Sequence, residues 1–404
     1  MSKAKVIGIV AEYNPFHKGH AYQINTAKKA LGATAVVAVM SGNFTQRGEA
    51  AYFDKWQRTQ LALAGGVDLV LELPVIYALR SSESFGKGGI ELLAATGVVS
   101  HVVFGCETPH PELLAQIAGI KLTKTKLAPY LSKGMTYGAA VAAHVTAQYP
   151  EAQKLLQEPN NILALSYYQA LSKLKNGPLP YPIMRQGAGY KEVELGGTLP
   201  SAQALRQELS TKGLSAQAAA GFPPQVLALL PGLLSQEPFI DHAEIFYLLL
   251  KHTISKLTAE EIAKHSDCSE GLENKFLEAI KATNYPDFLA VLKSKRYPLT
   301  RLRRLCYQLL ISSPAVPFAT TRKLSPQYLR VLGFTDTGRQ LLKTMKTTAT
   351  LPLITKLHKN EFNDKPAAFR AELATDLAAT NLYDLLKSGT GYNRDYLVRP
   401  HYLK

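Results

Sequence analysis

Cysteine is scarce in this 404-residue chain: three residues, Cys106, Cys268 and Cys306, all far apart. An odd number at such spacing argues against a disulfide framework or a zinc cluster, and it fits a reducing cytoplasm. No run of 18 apolar residues occurs, so no membrane-spanning helix is expected. The opening Met1-Ser2-Lys3-Ala4-Lys5 enters an apolar strand directly, without the long apolar region of a signal peptide. Internal repeats and low-complexity tracts are also missing. Acids are fewer than bases, 31 against 46, for a formal net charge of +15. The deficit is sharpest between Lys293 and Lys346, where the only acid among many cations is Asp336. Aromatic residues interleave with these cations (Tyr297, Tyr307, Phe318, Tyr328, Phe334). A polyanion is the first inference, most commonly RNA or DNA. The plainer reading is a solvated helical face.

Hydrophobic residues make up 46% of the chain, enough for two cored domains. Over the first 110 residues strands and helices alternate. Strands are expected at Ala4–Val10, Ala33–Met40, Val67–Leu73 and His101–Phe104. Helices are expected at Gly19–Leu31, at Asp54–Ala64 with Asp54 as N-cap, and at Ser82–Thr96. Nearly all-apolar strands separated by helices imply a parallel sheet covered on both faces, a Rossmann-like layer. A late strand is expected at Tyr181–Arg185, and Ser201 caps a further helix. Beyond Gly221 the pattern predicts helices only, including Ser325–Leu332. The expected division is therefore 1–220, α/β with a parallel sheet, and 221–404, mainly α-helical and basic. The last residues, from Ser388 to Lys404, are expected to be loosely held.

Asn14-Pro15-Phe16-His17-Lys18-Gly19-His20 is the densest chemical signal. It follows an apolar strand and opens a helix, a layout suited to nucleotide phosphates. The helix start offers N–H groups and a positive dipole end. His17 and His20 are three apart, so both can face an anion and donate hydrogen bonds as charge builds up. Lys18 adds a mobile cation. A metal pair lacks nearby ligands, and two structural histidines at a helix start remain the alternative.

His17-Lys18-Gly19-His20 resembles the His-x-Gly-His signature of the nucleotidyltransferase superfamily. Together with Glu12 to Phe16, Met40 to Gly48, Phe104-Gly105 and Ser201 to Arg206, it resembles the bacterial tRNA(Met) cytidine acetate ligase family. The resemblance implies a two-step reaction. Acetate attacks the α-phosphate of ATP, giving acetyl-adenylate and pyrophosphate. The acetyl group then moves to the exocyclic amine of the wobble cytidine of elongator tRNA(Met). It also implies that Ile7, Gly8, Ile9, Val10, Ala11, Glu12, Tyr13, Asn14, Pro15, Phe16 and Gly19 hold ATP, with His17 and His20 on the phosphates. Gly105, Asn161, Arg185 and Arg206 complete the ATP set; for Asn161 a plain N-cap role stands beside the ligand role. In the second phosphate motif Ala202 and Leu205 depart from the superfamily pattern.

Ser41, Asn43, Gln46 and Arg47 are candidates to bind acetate or present cytosine. Equally, their loop orders the His17–His20 turn. Asp54 and Lys55 read as capping and solvating a helix, and Glu107 is a possible base toward the amine. Lys295, Arg296, Arg301, Arg303 and Arg304 are the candidates for tRNA phosphates. Mg²⁺ is expected to ride on the nucleotide, with no protein metal site. Two rivals stand beside the ligase: a small-molecule adenylyltransferase, and a non-catalytic RNA-binding protein with a retired nucleotide site.

Overall fold

The computed structural model describes residues 5–186, 200–236, 243–265, 267–268, 271–294, 296–312, 318, 324–358, 363–387, 389 and 391–404. Its centre is a mixed, mostly parallel sheet. Strands β1 (Lys5–Ala11), β2 (Ala33–Ser41), β3 (Phe44–Thr45), β4 (Glu49–Ala50), β5 (Leu69–Leu73), β6 (His101–Cys106) and β7 (Leu179–Met184) come first. Strands β8 (Leu329–Phe334), β9 (Leu353–Ile354) and β10 (His401–Tyr402) follow much later. The spatial order is β10-β8-β5-β2-β1-β6-β7, with β9 beside β8. From β5 to β7 every neighbour is parallel, and β8 pairs antiparallel to β5.

Burial explains why these strands form. Every residue of β5 and the last seven of β2 are buried, so Val and Leu side chains meet helices on both faces. One core lies against the helix Ser82–Ala95 and the helix Pro159–Leu171; the other lies under the helices Lys18–Leu31 and Lys55–Ala64. A third core, around Phe246, Leu250, Phe276, Phe288, Leu302 and Leu305, belongs to the helices between Ala243 and Ile311.

Three expectations are corrected. Ser325–Leu332 is not helical: β8 occupies Leu329–Phe334. It is buried on both sides and so lacks the alternation that marks a half-buried strand. A cut between 220 and 221 leaves β8, β9 and β10 on the far side from the sheet they complete. These strands cover the β5 edge, which would otherwise present unpaired backbone groups. Nor is the C-terminal segment loose where it is described. Arg394 pairs with Asp54 at 2.9 Å and Asp384 at 3.0 Å, Asp395 pairs with Lys55 and Arg330 at 2.7 Å each, and β10 joins β8. Lys55, with 0% of its surface exposed, therefore solvates nothing; it is held by Glu72 and Asp395. Asp54 does cap its helix, accepting from Trp56 and Gln57 N–H.

Candidate active site

The order of strands reverses beside β1, where β2 lies on one side and β6 on the other. Crevices form outside the carboxyl ends of strands at such a switch point. A cleft of about 300 Å³ lies there. Its walls come from Ile9 to Asn14 at the end of β1 and beyond, Thr45 to Arg47 and Glu49 after β2, Gly105 on β6, Arg185 after β7, and Ser201, Ala202, Gln203 and Arg206 at the next helix start.

His17 and His20 face this cleft, and the helix start fixes their chemistry. His17 is the N-cap: its Nδ1 accepts from Gly19 N–H at 3.0 Å, while His20 Nδ1 accepts from His17 N–H at 3.2 Å. A backbone N–H can only donate, so both Nδ1 atoms are unprotonated and each proton sits on Nε2. Burial, then the charges of Arg185 and Arg206, lowers His17 to about 3. Burial, then His17 and Arg185, takes His20 well below the ordinary histidine range. The pair is thus neutral at pH 7, two Nε2–H donors on rings 3.9 Å apart.

The same cap alters one expectation. The first N–H groups of this helix are not open to a ligand: Lys18 N–H donates to Gly221 C=O, Gly19 N–H to His17, and His20 N–H to His17 C=O. The imidazoles, not the backbone, are the donors left for an anion. Gly19 serves the ring itself, since a Cβ there would meet His17 Cε1 at 2.8 Å.

Other expected residues divide between the cleft and its frame. Ile9, Val10, Ala11, Glu12, Tyr13, Asn14, Gly105, Arg185 and Arg206 line the cleft. Ile7, Phe16 and Pro15 are buried below it, and Gly8 makes room for Leu93 and Val99. Lys18 is half-buried and outside the lining. Asn161 is fully buried and frame-like, its side chain donating to Glu158 at 2.5 Å; its neighbour Asn160 lines the cleft instead. Glu107 is engaged as well, accepting from the N–H groups of Asn160 and Asn161 at the start of their helix. Cys106 is fully buried, and burial pushes its thiol up to about 12, away from the reactive thiolate form.

Of the loop candidates, Gln46 and Arg47 line the cleft, and Gln46 N–H donates to Glu12 at 2.7 Å. Ser41 and Asn43 are buried outside it, and Asn43 Oδ1 accepts from Lys55 N–H at 2.7 Å. A residue that sequence reasoning missed holds the whole rim. Arg58, fully buried, donates to the carbonyls of Glu12, Ser41, Gly42 and Phe53 and so ties the ends of β1 and β2 together. Its signal was weak: one arginine in a helix that looked solvated. Gln23, Phe85, Leu163 and Tyr167 were missed too, because the fold alone brings them to the cleft, while Phe104 and Gln203 stood in the quoted motifs without an assigned role.

The basic candidates scatter. Arg296 is exposed, and Lys295 lies outside the described residues. Arg301 donates to Asp267 C=O and lies over Tyr297. Arg304 is buried against Asp267 at 2.8 Å, so it is a tie between helix and loop rather than a phosphate contact. Arg303 turns inward to Glu49 at 2.7 Å.

Residues 4–396 match the family model of the HIGH nucleotidyl transferases. The chain is 35% identical to a tRNA(Met) cytidine acetate ligase of Alkaliphilus metalliredigens, over 99% of both chains. It is 34% identical to that of Clostridium novyi, over 99% of this chain and 100% of the relative. The chain belongs to the tRNA(Met) cytidine acetate ligase family. Among solved structures, Thermotoga maritima TmcAL in its apo form superposes with a TM-score of 0.89, at 30% identity over 99% of both chains. The same protein bound with alpha-thio ATP superposes at 0.87, again at 30% identity over 99% of each. Family membership and a nucleotide-sized cleft at the switch point therefore coincide, and the rival with a retired nucleotide site loses ground.

Proposed function

We propose that this chain is an ATP-dependent acetate ligase acting on the wobble cytidine of elongator tRNA(Met), in the cytoplasm. The observation that carries the proposal is the neutral His17–His20 pair, its Nε2–H groups held in one cleft with Arg185 and Arg206, in a family whose relatives bear that name. Phe85, Phe104, Leu163 and Tyr167 offer the apolar wall for adenine at one side of the cleft. The phosphates then lie toward the histidines and arginines.

An acetate oxygen attacks the α-phosphorus, and the bond to the bridging oxygen breaks, so that pyrophosphate leaves with the electron pair. Negative charge grows on the non-bridging oxygens. His17 and His20 donate to them from Nε2, and being neutral they give hydrogen bonds without ionising. Arg185 and Arg206 neutralise the triphosphate. The amine of cytosine then attacks the acetyl carbon and AMP departs. Mg²⁺ would enter with the nucleotide and neutralise the pyrophosphate as it leaves. Among the described residues, Glu12 Oε1 accepts from Gln46 N–H and Glu49 Oε1 from Arg303. Among them, too, no helix is long and apolar enough to cross a membrane.

Purified protein with ATP and radiolabelled acetate, with and without unmodified bacterial tRNA, tests the reading. Acetate-dependent pyrophosphate release and label in tRNA are expected. ATP turnover indifferent to acetate would overturn it.

A further inference from the structure

A second and larger cavity, about 520 Å³, adjoins the nucleotide cleft. Both volumes suit small-ligand sites. Glu49, Gln203 and Arg206 line both spaces, so they form the wall where one opens toward the other. Away from that wall the second cavity changes character. Its lining there is aromatic: Tyr52, Phe246, Tyr285, Tyr307 and Tyr383. Phe246 lies 4.8 Å from both Tyr285 and Tyr307 between ring centroids, edge-on to the first and tilted to the second, so the three rings form one aromatic cluster in the wall. It is built jointly by the β3–β4 hairpin, the helix Ala202–Lys212 and the helical region with the third core.

The carboxylate on the shared wall is oriented. Arg303 Nη1 donates to Glu49 Oε1 at 2.7 Å, whereas Arg206 Nη2 stands 3.8 Å from Oε2, beyond hydrogen-bond distance. Oε2 retains acceptor capacity at the boundary of the two spaces. The helix with Tyr285 at its start runs to the exposed Lys293, followed by the exposed Arg296.

Aromatic faces that stack a base, a carboxylate that accepts from an amino group and cations nearby for the backbone are the parts needed to hold an unstacked cytosine. We infer that the second cavity receives the acceptor cytosine, withdrawn from its RNA strand, packed against the Phe246–Tyr285–Tyr307 cluster with its exocyclic amine on Glu49 Oε2. This rests on the acetyl-transfer reading above. The amine lies at the wall shared with the cleft, where the acyl-adenylate forms. Its nitrogen bonds to the acetyl carbon, the carbon–oxygen bond to AMP breaks with the electron pair leaving on AMP, and the proton lost by nitrogen passes to Glu49 Oε2.

The test blocks the second cavity from a position outside the nucleotide cleft. Gln207 lines it from an exposed position. Gln207→Trp is expected to leave acetate-dependent pyrophosphate release within about twofold of wild type while transfer to tRNA falls at least tenfold. An anticodon stem-loop carrying pyrrolo-cytosine at the acceptor position reads base entry directly. Its fluorescence is expected to change on binding wild type and to stay flat on binding Gln207→Trp. Glu49→Gln should lower transfer about a hundredfold more than it lowers acetyl-adenylate formation. Wild-type transfer and an unchanged fluorescence response in Gln207→Trp would overturn the cavity assignment. Equal loss of both steps in Glu49→Gln would overturn the role of the carboxylate. Wild-type protein that never labels tRNA would instead sink the underlying acetyl-transfer reading, so the two failures are distinguishable.

Discussion

The nucleotide cleft and the buried knot around Lys55 are both rich in charge, but they handle it in opposite ways. In the knot, Lys55 and Arg330 meet Glu72 and Asp395 at 2.7 to 3.4 Å, and all four side chains are nearly inaccessible. The molecule supplies both signs. In the cleft, Arg185, Arg206, Arg47 and two capped histidines converge, and the carboxylates Glu12 and Glu49 are engaged with neighbouring groups. The surplus there is positive and faces an open space. Charge matched inside the fold holds the fold together, whereas a positive surplus at a strand end suits a ligand of the opposite sign.

The strongest test removes a partner from the knot. Asp395→Ala strands Lys55 and Arg330 in a dry interior, and losing one member of a buried pair costs about 3–5 kcal/mol. Urea denaturation should show that loss. Arg185→Met, which removes an exposed cleft cation, should change stability by less than about 1 kcal/mol while weakening ATP binding. If both substitutions cost the same stability, the distinction between the regions fails.

A second test separates cap from catalyst within the cleft. Asn keeps an oxygen acceptor for Gly19 N–H but has no Nε2–H, so His17→Asn should fold normally. Loss of one transition-state donor typically costs about 10²–10³ in rate. His17→Ala should show that loss plus roughly 0.5–2 kcal/mol of stability, the cost of a missing N-cap. Pyrophosphate release and thermal unfolding measure the two effects. An active His17→Asn protein would show that the pair is structural.

Protons tilt the two regions in opposite directions. His17 is lowered to about 3 in the fold from about 6.5 unfolded, so its contribution to stability is present above pH 6.5 and lost as pH falls toward 3. The slope is about 1.4 kcal/mol per pH unit for one group within that window. Asp376, beside the knot, behaves inversely. Burial and then the Glu72 charge raise it in the fold, so its contribution is present at low pH and lost as pH rises through its folded value. From pH 4 to 7, stability should therefore rise less with pH than in wild type in His17→Asn, and rise more in Asp376→Asn. Parallel profiles in the two variants would contradict these assignments.

Much of this was legible beforehand because the first half of the chain obeys local rules. Apolar runs became β1, β2, β5, β6 and β7, and Asp54 and Ser201 cap the helices they precede. The cleft was legible where one short segment supplies it, from Glu12 to His20. It was not legible where distant segments meet: Leu163, Tyr167 and Glu49 reach it only through folding. Composition misled over the basic segment. Arg304 and Arg330 resemble solvated cations in a list of residues, yet their partners Asp267 and Asp395 lie 37 and 65 positions away. The C-terminal segment misled for the same reason, since its order comes from pairing with Asp54 and Lys55 across the whole chain.

The smallest expected effect concerns the cations that do remain at the surface. Lys293 and Arg296 are exposed and lie outside the cleft. If they contact RNA phosphates, each contributes counter-ion release and little else. Reversing both to Glu should weaken tRNA binding about tenfold at moderate salt and reduce the slope of log K against log salt by about 1 to 2. Acetyl-adenylate formation should be untouched, because neither side chain reaches the nucleotide. Arg304→Glu would behave differently: it breaks a buried pair with Asp267 and should lower stability before it lowers affinity. Parallel titrations of the two variants against tRNA, with urea unfolding alongside, therefore decide which arginines of this segment serve the ligand and which serve the fold.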